Sequence, residues 1–279
     1  MLPLVLLIAS LAFASCYEPR IIGGSETTIE KYPYQVSIHY NGVLKCGGSV
    51  ISQNWVLTAA HCVYGENPTL FQIRIQSTYS NKGGTLITGI KNTIYHELYD
   101  NESLEYDVAL IQVRVCQTLF RTGIKEIKKD RKSSRDCSFV TRKLPSPIKE
   151  SATAKSIALP PPGATVMTGS KALVTGWGLT KAGGSMSNTL KVLTAPVVDQ
   201  DTCKKIYAVQ HYLTKEMLCA GTMIGGQDTC LGDSGGPLVY NGVQIGIVSW
   251  GFECARPGYP GVYTRVSAVR SWITKHANV

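Results

Sequence analysis

The sequence has no apolar run long enough to cross a bilayer as a helix. Helical periodicity is scarce before Val269–His276, no internal repeat is visible, and Asn67–His96 contains no Asp or Glu. These absences exclude a membrane protein that spans with helices and a repeat array, and they disfavour an all-helical fold. The remainder has an ordinary soluble composition, with 44% hydrophobic residues and a mean hydropathy of +0.02.

The chain begins with an apolar run, Met1–Ala14, that is too short for a membrane span and ends in small residues. Ala12-Phe13-Ala14 has the small-x-small pattern of a signal-peptide cleavage site, and a buried helix is the alternative. We therefore expect a signal peptide over residues 1–14 and a secreted, extracellular protein. Of the nine cysteines, eight lie downstream of Cys16, and in an oxidising compartment such an even set indicates disulfides, although sequence alone does not establish which cysteines pair.

Short strand-like runs separated by Gly, Asn and Pro dominate the rest of the chain. Asn41-Gly42 is a strong hairpin signal, and the only sustained helical pattern is the C-terminal one. This organisation predicts an all-β barrel or sandwich. The runs lie at Val50–Leu57, Phe71–Ile75, Val108–Val113, Ala172–Thr175, Pro237–Val239 and Ile245–Trp250.

One serine stands in a glycine-rich turn within Asp228–Pro237. A serine hydroxyl becomes a good nucleophile only when a base takes its proton. Backbone N–H groups on such a turn can stabilise a carbonyl oxygen that gains negative charge. Gly232 lets the backbone bend, and we expect Gly235 and Gly236 to leave room for a substrate chain. Ser234 is therefore a candidate nucleophile if the chain supplies a histidine and an acid elsewhere.

A histidine and an acid stand upstream of this serine. His61 lies beside Cys62, but no second His or Cys nearby has the spacing of a zinc ligand, so a general base is the better interpretation. Asp107 precedes an apolar run, where a turn residue is the ordinary interpretation and a buried carboxylate would need a donor or cation. The order His61, Asp107, Ser234 favours the carboxylate that orients a catalytic histidine.

Seven motifs occur together and in order. They are Arg-Ile-Ile-Gly-Gly, Thr-Ala-Ala-His-Cys, Asp-Val-Ala-Leu-Ile, Gly176-Trp177-Gly178, Gly-Asp-Ser-Gly-Gly-Pro, Ser249-Trp250-Gly251 and Pro260-Gly261-Val262-Tyr263. Together they resemble the chymotrypsin-type serine proteases, and trypsins most closely. The resemblance covers Ile21–Val279 apart from one insert. It implies two six-stranded antiparallel β-barrels, with the active site between them, and a C-terminal helix.

The resemblance also implies catalytic roles. His61 would be the general base and then the general acid, Asp107 would hold its tautomer, and Ser234 would attack the peptide carbonyl to form an acyl-enzyme. The backbone N–H groups of Gly232 and Ser234 would form the oxyanion hole. The implied activity is that of a serine endopeptidase, and the lack of any accessory domain favours a digestive or broadly acting role.

Activation is implied at the start of the resembling region. Residues 15–20 would be a propeptide, and cleavage between Arg20 and Ile21 would create a new α-amino group on Ile21. In the resembled family this amine pairs with the acid at the position of Asp233 and orders the oxyanion loop. The uncut chain would therefore be an inactive zymogen. An ordinary first strand after a linker is the alternative interpretation of this stretch.

Substrate specificity is implied by Asp228, which would form the floor of the primary pocket. Gly251 and Gly261 would keep the pocket walls open, and Ser249 and Trp250 would complete the binding site. A carboxylate in such a slot predicts cleavage after Arg and Lys. The alternative is a surface Asp in a turn. The disulfides implied by the resemblance are Cys46–Cys62, Cys203–Cys219 and Cys230–Cys254.

We expect no cofactor and no metal. Some trypsins bind calcium through an acidic loop between the histidine and aspartate motifs, but Asn67–His96 has no acidic residue, and calcium prefers charged oxygen ligands. The expected partners are protein or peptide substrates and proteinaceous serine protease inhibitors. We expect neither nucleic acid nor membrane as a partner, and we expect a monomer.

The sequence departs from the family in a basic insert, Arg114–Arg142, which has nine Lys or Arg and three Asp or Glu. It carries most of the net charge of +9. Joining Val113 to Lys143 would restore an uninterrupted family member. The insert could be a solvated loop, a translated retained intron, or a loop that binds polyanions. Cys116 and Cys137 could pair within it, and Cys16 is unexplained.

Two rival functions follow from the sequence. The chain could be a non-catalytic homologue that binds partners through the same fold, although such proteins typically lose one of the three catalytic residues. It could also be a polyanion-binding protein that uses the insert, which a steep salt dependence of heparin retention would support. The intact His61, Asp107 and Ser234 favour the enzyme.

Overall fold

The computed structural model describes residues 24–113, 148–180, 184–209 and 212–279 of the 279-residue chain. Several sequence predictions lie outside these residues. They are the signal peptide 1–14, the propeptide 15–20, the Arg20–Ile21 bond, Cys16, and the insert 114–142 with Cys116 and Cys137.

Within the described ranges the chain forms mostly short strands. They are β1 (Ser25–Glu26), β2 (Gln35–Tyr40), β3 (Val43–Ser52), β4 (Trp55–Thr58), β5 (Phe71–Ile75), β6 (Thr85–Ile87), β7 (Asn92–Tyr95), β8 (Ala109–Gln112), β9 (Lys171–Gly176), β10 (Lys191–Pro196), β11 (Met217–Ala220), β12 (Pro237–Tyr240), β13 (Val243–Trp250) and β14 (Gly261–Arg265). The α-helices are α1 (Gln200–Tyr207) and α2 (Val266–Ala277), and 3₁₀ turns cover Ala60–Cys62 and Pro68–Leu70. No helix among the described residues has the length and apolarity of a membrane span.

The N-terminal sheet is rolled into a barrel. Its strand order is β6-β5-β2-β3-β4-β8-β7, all antiparallel, so β6 and β7 stand at opposite edges. Only residues 88–91 separate these two strands in the chain. A flat seven-stranded sheet would be about 29 Å wide, whereas this connection spans about 18 Å at most. The sheet must therefore close, with β6 and β7 as the two halves of one interrupted strand.

The C-terminal sheet closes in a different way. Its order is β1-β10-β9-β12-β13-β14-β11. Val197, directly after β10, bridges to Ala220 of β11, so the six strands from β10 to β11 form a ring. β1 adds to the rim of that ring through Ser25 and Glu26. The prediction of two six-stranded barrels is thus confirmed, and the seventh strand of each sheet is a half-strand or a rim strand.

The C-terminal helix joins the two barrels. It follows β14 of the second barrel directly, yet its buried face packs into the core of the first. Trp272 Nε1 also donates a hydrogen bond to Glu97 Oε2 at 2.8 Å, next to β7. The helix therefore fixes the position of one barrel against the other. Its buried core residues are Val266, Val269, Trp272, Ile273 and Ala277.

Three elements differ from their sequence predictions. The single run predicted at Val50–Leu57 is divided between β3 and β4, because Ser52 pairs with Trp55 across a two-residue turn. The C-terminal helix begins before Val269, at Val266. The sequence did not predict α1, because its composition is polar and only Cys203 and Tyr207, four residues apart, bury one narrow face.

The described residues on either side of the insert are anchored at neighbouring points. The Val113 N–H donates to the Asn54 carbonyl at 2.9 Å, and the Ile148 N–H donates to the Gln53 carbonyl at 2.9 Å. Gln53 and Asn54 form the turn between β3 and β4. The last described residue before the insert and the first described residue after it are therefore anchored at one turn, at the end of β4 opposite to Thr58.

Candidate active site

Two paired strands bring His61 and Asp107 together. β4 and β8 are antiparallel, and Thr58 faces Ala109 at their shared end. The chain leaves Thr58 into the 3₁₀ turn that holds His61, while Asp107 precedes β8, so both residues stand at the same end of the sheet. His61 Nδ1 lies 2.7 Å from Asp107 Oδ2, and the His61 backbone N–H donates to Asp107 Oδ1 at 2.9 Å.

The Asp107 side chain is fully buried, with 0% exposure, so its carboxylate needs donors. Ser249 Oγ supplies one at 2.6 Å from Oδ2, in addition to the two contacts from His61. Thr264 Oγ1 donates to the Asp107 backbone carbonyl at 2.6 Å. Because the carboxylate occupies Nδ1 of His61, Nε2 is the ring nitrogen left to exchange a proton with a ligand.

Ser234 lies in the turn before β12, where hydrogen-bonded backbone N–H groups alternate along the chain with N–H groups that have no acceptor within the described ranges. The N–H groups of Asp233 and Gly235 donate to carbonyls of the protein. Those of Gly232 and Ser234 have no acceptor among the described residues. The Ser234 carbonyl accepts a hydrogen bond from the Gly47 N–H at 2.8 Å, which ties the turn to the first barrel. Two neighbouring N–H groups are thus available to a bound oxygen atom.

The two glycines after Ser234 face other parts of the protein at close range. Gly235 has a φ of 77°, and a Cβ atom there would lie 2.1 Å from Thr58 Oγ1 and 2.8 Å from the Gly47 carbonyl. A Cβ at Gly236 would lie 2.8 Å from the Asp233 carbonyl. The expectation that these glycines leave room for substrate is therefore wrong. Gly235 allows the two barrels to approach each other at the serine, and Gly236 allows the turn to close against Asp233.

The cysteines beside His61 are bonded to each other. The ligand atoms of Cys46, His61 and Cys62 lie within 4.8 Å of one another, a separation that a metal ion could bridge. However, Cys46 and Cys62 form a disulfide, so neither sulfur is a thiolate that could bind a metal. The other two disulfides, Cys203–Cys219 and Cys230–Cys254, are also those that the resemblance implied.

A cavity of about 450 Å³ opens beside His61 and Ser234, both of which line it. The Cys230–Cys254 disulfide lies in its wall and joins the segment before Ser234 to the loop after Trp250. Every residue predicted to bind substrate lines the same cavity, namely Asp228, Ser249, Trp250, Gly251 and Gly261. The structure therefore brings His61, Ser234 and the predicted binding residues to one cavity, which we call the specificity cavity after its predicted role.

Asp228 is the buried acid of this cavity, and it is 5% exposed. Its Oδ1 accepts from the Thr229 N–H at 2.7 Å and its Oδ2 from the Ala255 N–H at 3.1 Å. Burial raises the pKa of the carboxyl to about 6, against the opposing effect of these bonds. A Cβ at Gly261 would lie 3.1 Å from Oδ1, so the glycine keeps the acid accessible. A cation entering the cavity would relieve the cost of burying this charge.

Asp233, the residue before Ser234, is buried with 0% exposure and does not line the cavity. Its Oδ1 accepts from the Gly178 N–H at 2.8 Å and its Oδ2 from the Cys230 N–H at 3.2 Å. Burial raises its pKa to about 7, so the ionised form would gain from a cationic partner. Its predicted partner, the amine of Ile21, lies outside the described residues.

Sequence reasoning missed three functional features. Ser249 was predicted to bind substrate, but its bond to Asp107 was not foreseen. Leu104 and Glu253 line the specificity cavity, although neither was singled out. Both lie in irregular loops, where no periodicity marks them. A usable signal existed for Glu253, because it stands next to Cys254, whose disulfide with Cys230 places it at the cavity.

Comparisons with known proteins agree with these observations. The profile of the family described as Trypsin matches residues 21–273. The vitellin-degrading protease of Bombyx mori is 34% identical over 273 residues, which cover 96% of this chain and 91% of that protein. Trypsin 5G1 of Aedes aegypti is 38% identical over 255 residues, with 91% and 84% covered. Transmembrane protease serine 7 of Mus musculus is 35% identical over 94% of this chain but only 29% of its own length.

Proposed function

The chain belongs to the trypsin family of serine proteases, and we propose that it is a secreted endopeptidase that cleaves peptide bonds after Arg and Lys. The observation that carries the proposal is the position of Asp228. This acid lines the same cavity as His61 and Ser234, so a bound cationic side chain would place its peptide bond beside the serine.

In the proposed reaction, His61 Nε2 takes the proton of the Ser234 hydroxyl as Oγ attacks the carbonyl carbon of the scissile bond. The N–H groups of Gly232 and Ser234 stabilise the oxygen that becomes negative, and one such donor is typically worth about 2.7–4 kcal/mol. The imidazolium then protonates the leaving amine, the C–N bond breaks, and an acyl-enzyme remains. Water, deprotonated by His61, attacks this ester and releases the acid.

Asp107 supports this reaction from a buried position. Its bond to Nδ1 fixes the tautomer of His61, and its charge stabilises the imidazolium that forms during attack. The Ser249 hydroxyl, 2.6 Å from the same oxygen, holds the carboxylate in its orientation. We therefore propose Ser249 as a positioning residue for Asp107.

We propose that cleavage between Arg20 and Ile21 switches the enzyme on. The new amine of Ile21 would pair with Asp233, whose burial makes a cationic partner favourable. Because Asp233 is flanked by Gly232 and Ser234, ordering its side chain would also order the two backbone donors. The uncut chain would be a zymogen with low activity, and Arg20→Gln would keep it so.

The proposed setting is extracellular. The apolar start of the chain supports a signal peptide, and the three disulfides support an oxidising compartment. The proposed partners are protein or peptide substrates and proteinaceous inhibitors that occupy the specificity cavity, and the proposed state is a monomer.

Hydrolysis of paired peptide substrates ending in Arg and in Phe tests this proposal, before and after the cut at Arg20. We expect turnover of the Arg substrate only, and only after the cut, with intact mass reporting the new terminus. Ser234→Ala controls for contaminating protease, and Arg20→Gln controls for activation. A folded, cut protein that hydrolyses neither substrate would contradict the proposal and favour a non-catalytic homologue.

A further inference from the structure

A second carboxylate, Glu253, lines the specificity cavity together with Asp228. Its side chain is 66% exposed, so it stands at the mouth of the cavity, whereas Asp228 is 5% exposed. Glu253 has a φ of 60°. Residues other than glycine seldom adopt this left-handed conformation, and Glu is not among the types enriched there. Such outliers persist only where the surroundings enforce them, and they cluster at functional sites.

The loop around Glu253 is held on both sides. Cys254 is bonded to Cys230 in the cavity wall, and the Ala255 N–H donates to Asp228 Oδ2 at 3.1 Å. A Cβ atom at Gly251 would lie 3.9 Å from the Glu253 carbonyl, so the Glu253 backbone faces Gly251 at ordinary contact distance. These contacts hold the carboxylate at the cavity rather than leaving it on a freely moving loop.

Arg256 forms an ion pair with Glu253 in the free protein. Arg256 Nη1 lies 3.0 Å from Glu253 Oε1, and 41% of the arginine side chain is exposed. Its guanidinium also lies over the rings of Phe252 and Tyr259, at 4.7 and 5.2 Å from their centroids. An incoming cation can therefore compete for Glu253, because the two rings would still hold Arg256 through cation–π contacts.

We propose that Glu253 recognises a second cationic side chain of the substrate. The preferred substrates would then carry two basic residues close together, one bound at Asp228 and the other at Glu253. The two carboxylates in one cavity can pair with two positive charges on the substrate. A substrate with a neutral side chain opposite Glu253 would lose the second of these pairs. This inference rests on the proposed function, in which Asp228 binds the residue before the cleaved bond.

The test uses three chromogenic tripeptide amides, Ala-Ala-Arg, Ala-Arg-Arg and Arg-Ala-Arg, with the cut protein. We expect kcat/KM for the better dibasic substrate to exceed that for Ala-Ala-Arg by about two- to fivefold, the range of an exposed ion pair. Glu253→Gln should abolish this preference, so that both dibasic substrates are hydrolysed no faster than Ala-Ala-Arg by the same variant. Arg256→Gln should increase the preference, and added salt should weaken it.

Two control variants separate charge from backbone strain. Glu253→Gly removes the carboxylate but suits the positive φ, so it should lose the preference as Glu253→Gln does. Glu150→Gln removes an equal charge from an exposed position that does not line the cavity, and it should keep the preference. The same dibasic ratio in the parent and in Glu253→Gln would overturn the inference. If the parent hydrolyses no Arg substrate, the proposed function fails, and this inference fails with it.

Discussion

The buried carboxylate of Asp228 should make the free protein less stable at neutral pH than at acid pH. Burial raises its pKa from 3.8 to about 6. As the pH rises above 4, the unfolded chain loses this proton before the folded protein does. The folded state therefore loses stability through this window, and the loss is complete above about pH 6. A shift of this size corresponds to about 3 kcal/mol.

Replacing Asp228 by Asn isolates this effect. We would measure urea unfolding of both proteins in a Ser234→Ala background, which prevents self-cleavage under the proposed mechanism. The Asn amide cannot accept from both the Thr229 and Ala255 N–H groups, but that cost is the same at each pH and cancels. Between about pH 4.5 and pH 7.5, the Asn protein should gain about 2 kcal/mol of unfolding free energy relative to its parent.

Asp199 supplies a control of opposite sign. The backbone N–H and the hydroxyl of Thr202 lower the pKa of this exposed carboxyl at the start of α1. The stability that the ionised form contributes is present above the unfolded pKa and is lost as the pH falls. Asp199→Asn should therefore lose stability relative to its parent only as the pH rises towards the ordinary pKa of 3.8, and the difference between the two proteins should stay constant across the window used for Asp228. A difference between Asp228→Asn and its parent that stays constant within about 0.5 kcal/mol would refute the reasoning.

Three further predictions concern activity. Because a protonated Asp228 cannot pair with a cation, KM for Arg substrates should rise about tenfold per pH unit below about pH 6, and a flat KM profile would contradict this. Ser249→Ala removes a charge-assisted hydrogen bond from the buried Asp107 and should therefore lower kcat by about ten- to a hundredfold. Steady-state kinetics would measure this loss, and an unchanged kcat would rule out the positioning role of Ser249. Deleting residues 114–142 should leave kcat/KM of the cut protein within about twofold of the parent value, because Val113 and Ile148 are both anchored at the end of β4 opposite to His61. A loss of more than about tenfold would show that the insert is required for activity.

Local sequence motifs predicted the residue types of the site and the architecture that carries them. Alternating apolar residues and hairpin turns indicated strands, because those signals depend only on neighbours in the chain. The ordered motifs then implied two barrels, which the strand pairing confirms. They also implied three disulfides, and all three cysteine pairs are bonded. The catalytic roles of His61, Asp107 and Ser234 are still proposals, although His61 and Ser234 line one cavity and Asp107 is hydrogen-bonded to His61.

Contacts between distant segments could not be predicted in the same way. Ser249 bonds to Asp107 across 142 residues, and no spacing rule connects these two positions. The space beside Gly235 was assigned to substrate, whereas the chain brings Thr58 and Gly47 of the other barrel into it. Both contacts depend on how the barrels dock, and docking is determined by the buried face of α2 and by side chains from many elements at once.

The amino-acid sequence specifies which chemical groups this protein has and the order in which they occur. A serine in a glycine-rich turn, a histidine, an acid before an apolar run, two acids near the serine and nine cysteines are properties of the chain, and their motifs are local. The fold is needed to know which of these groups meet, how deeply each acid is buried, and that Glu253 shares a cavity with Asp228. The physical reason is that burial and proximity depend on the docking of the two barrels, which no short segment encodes.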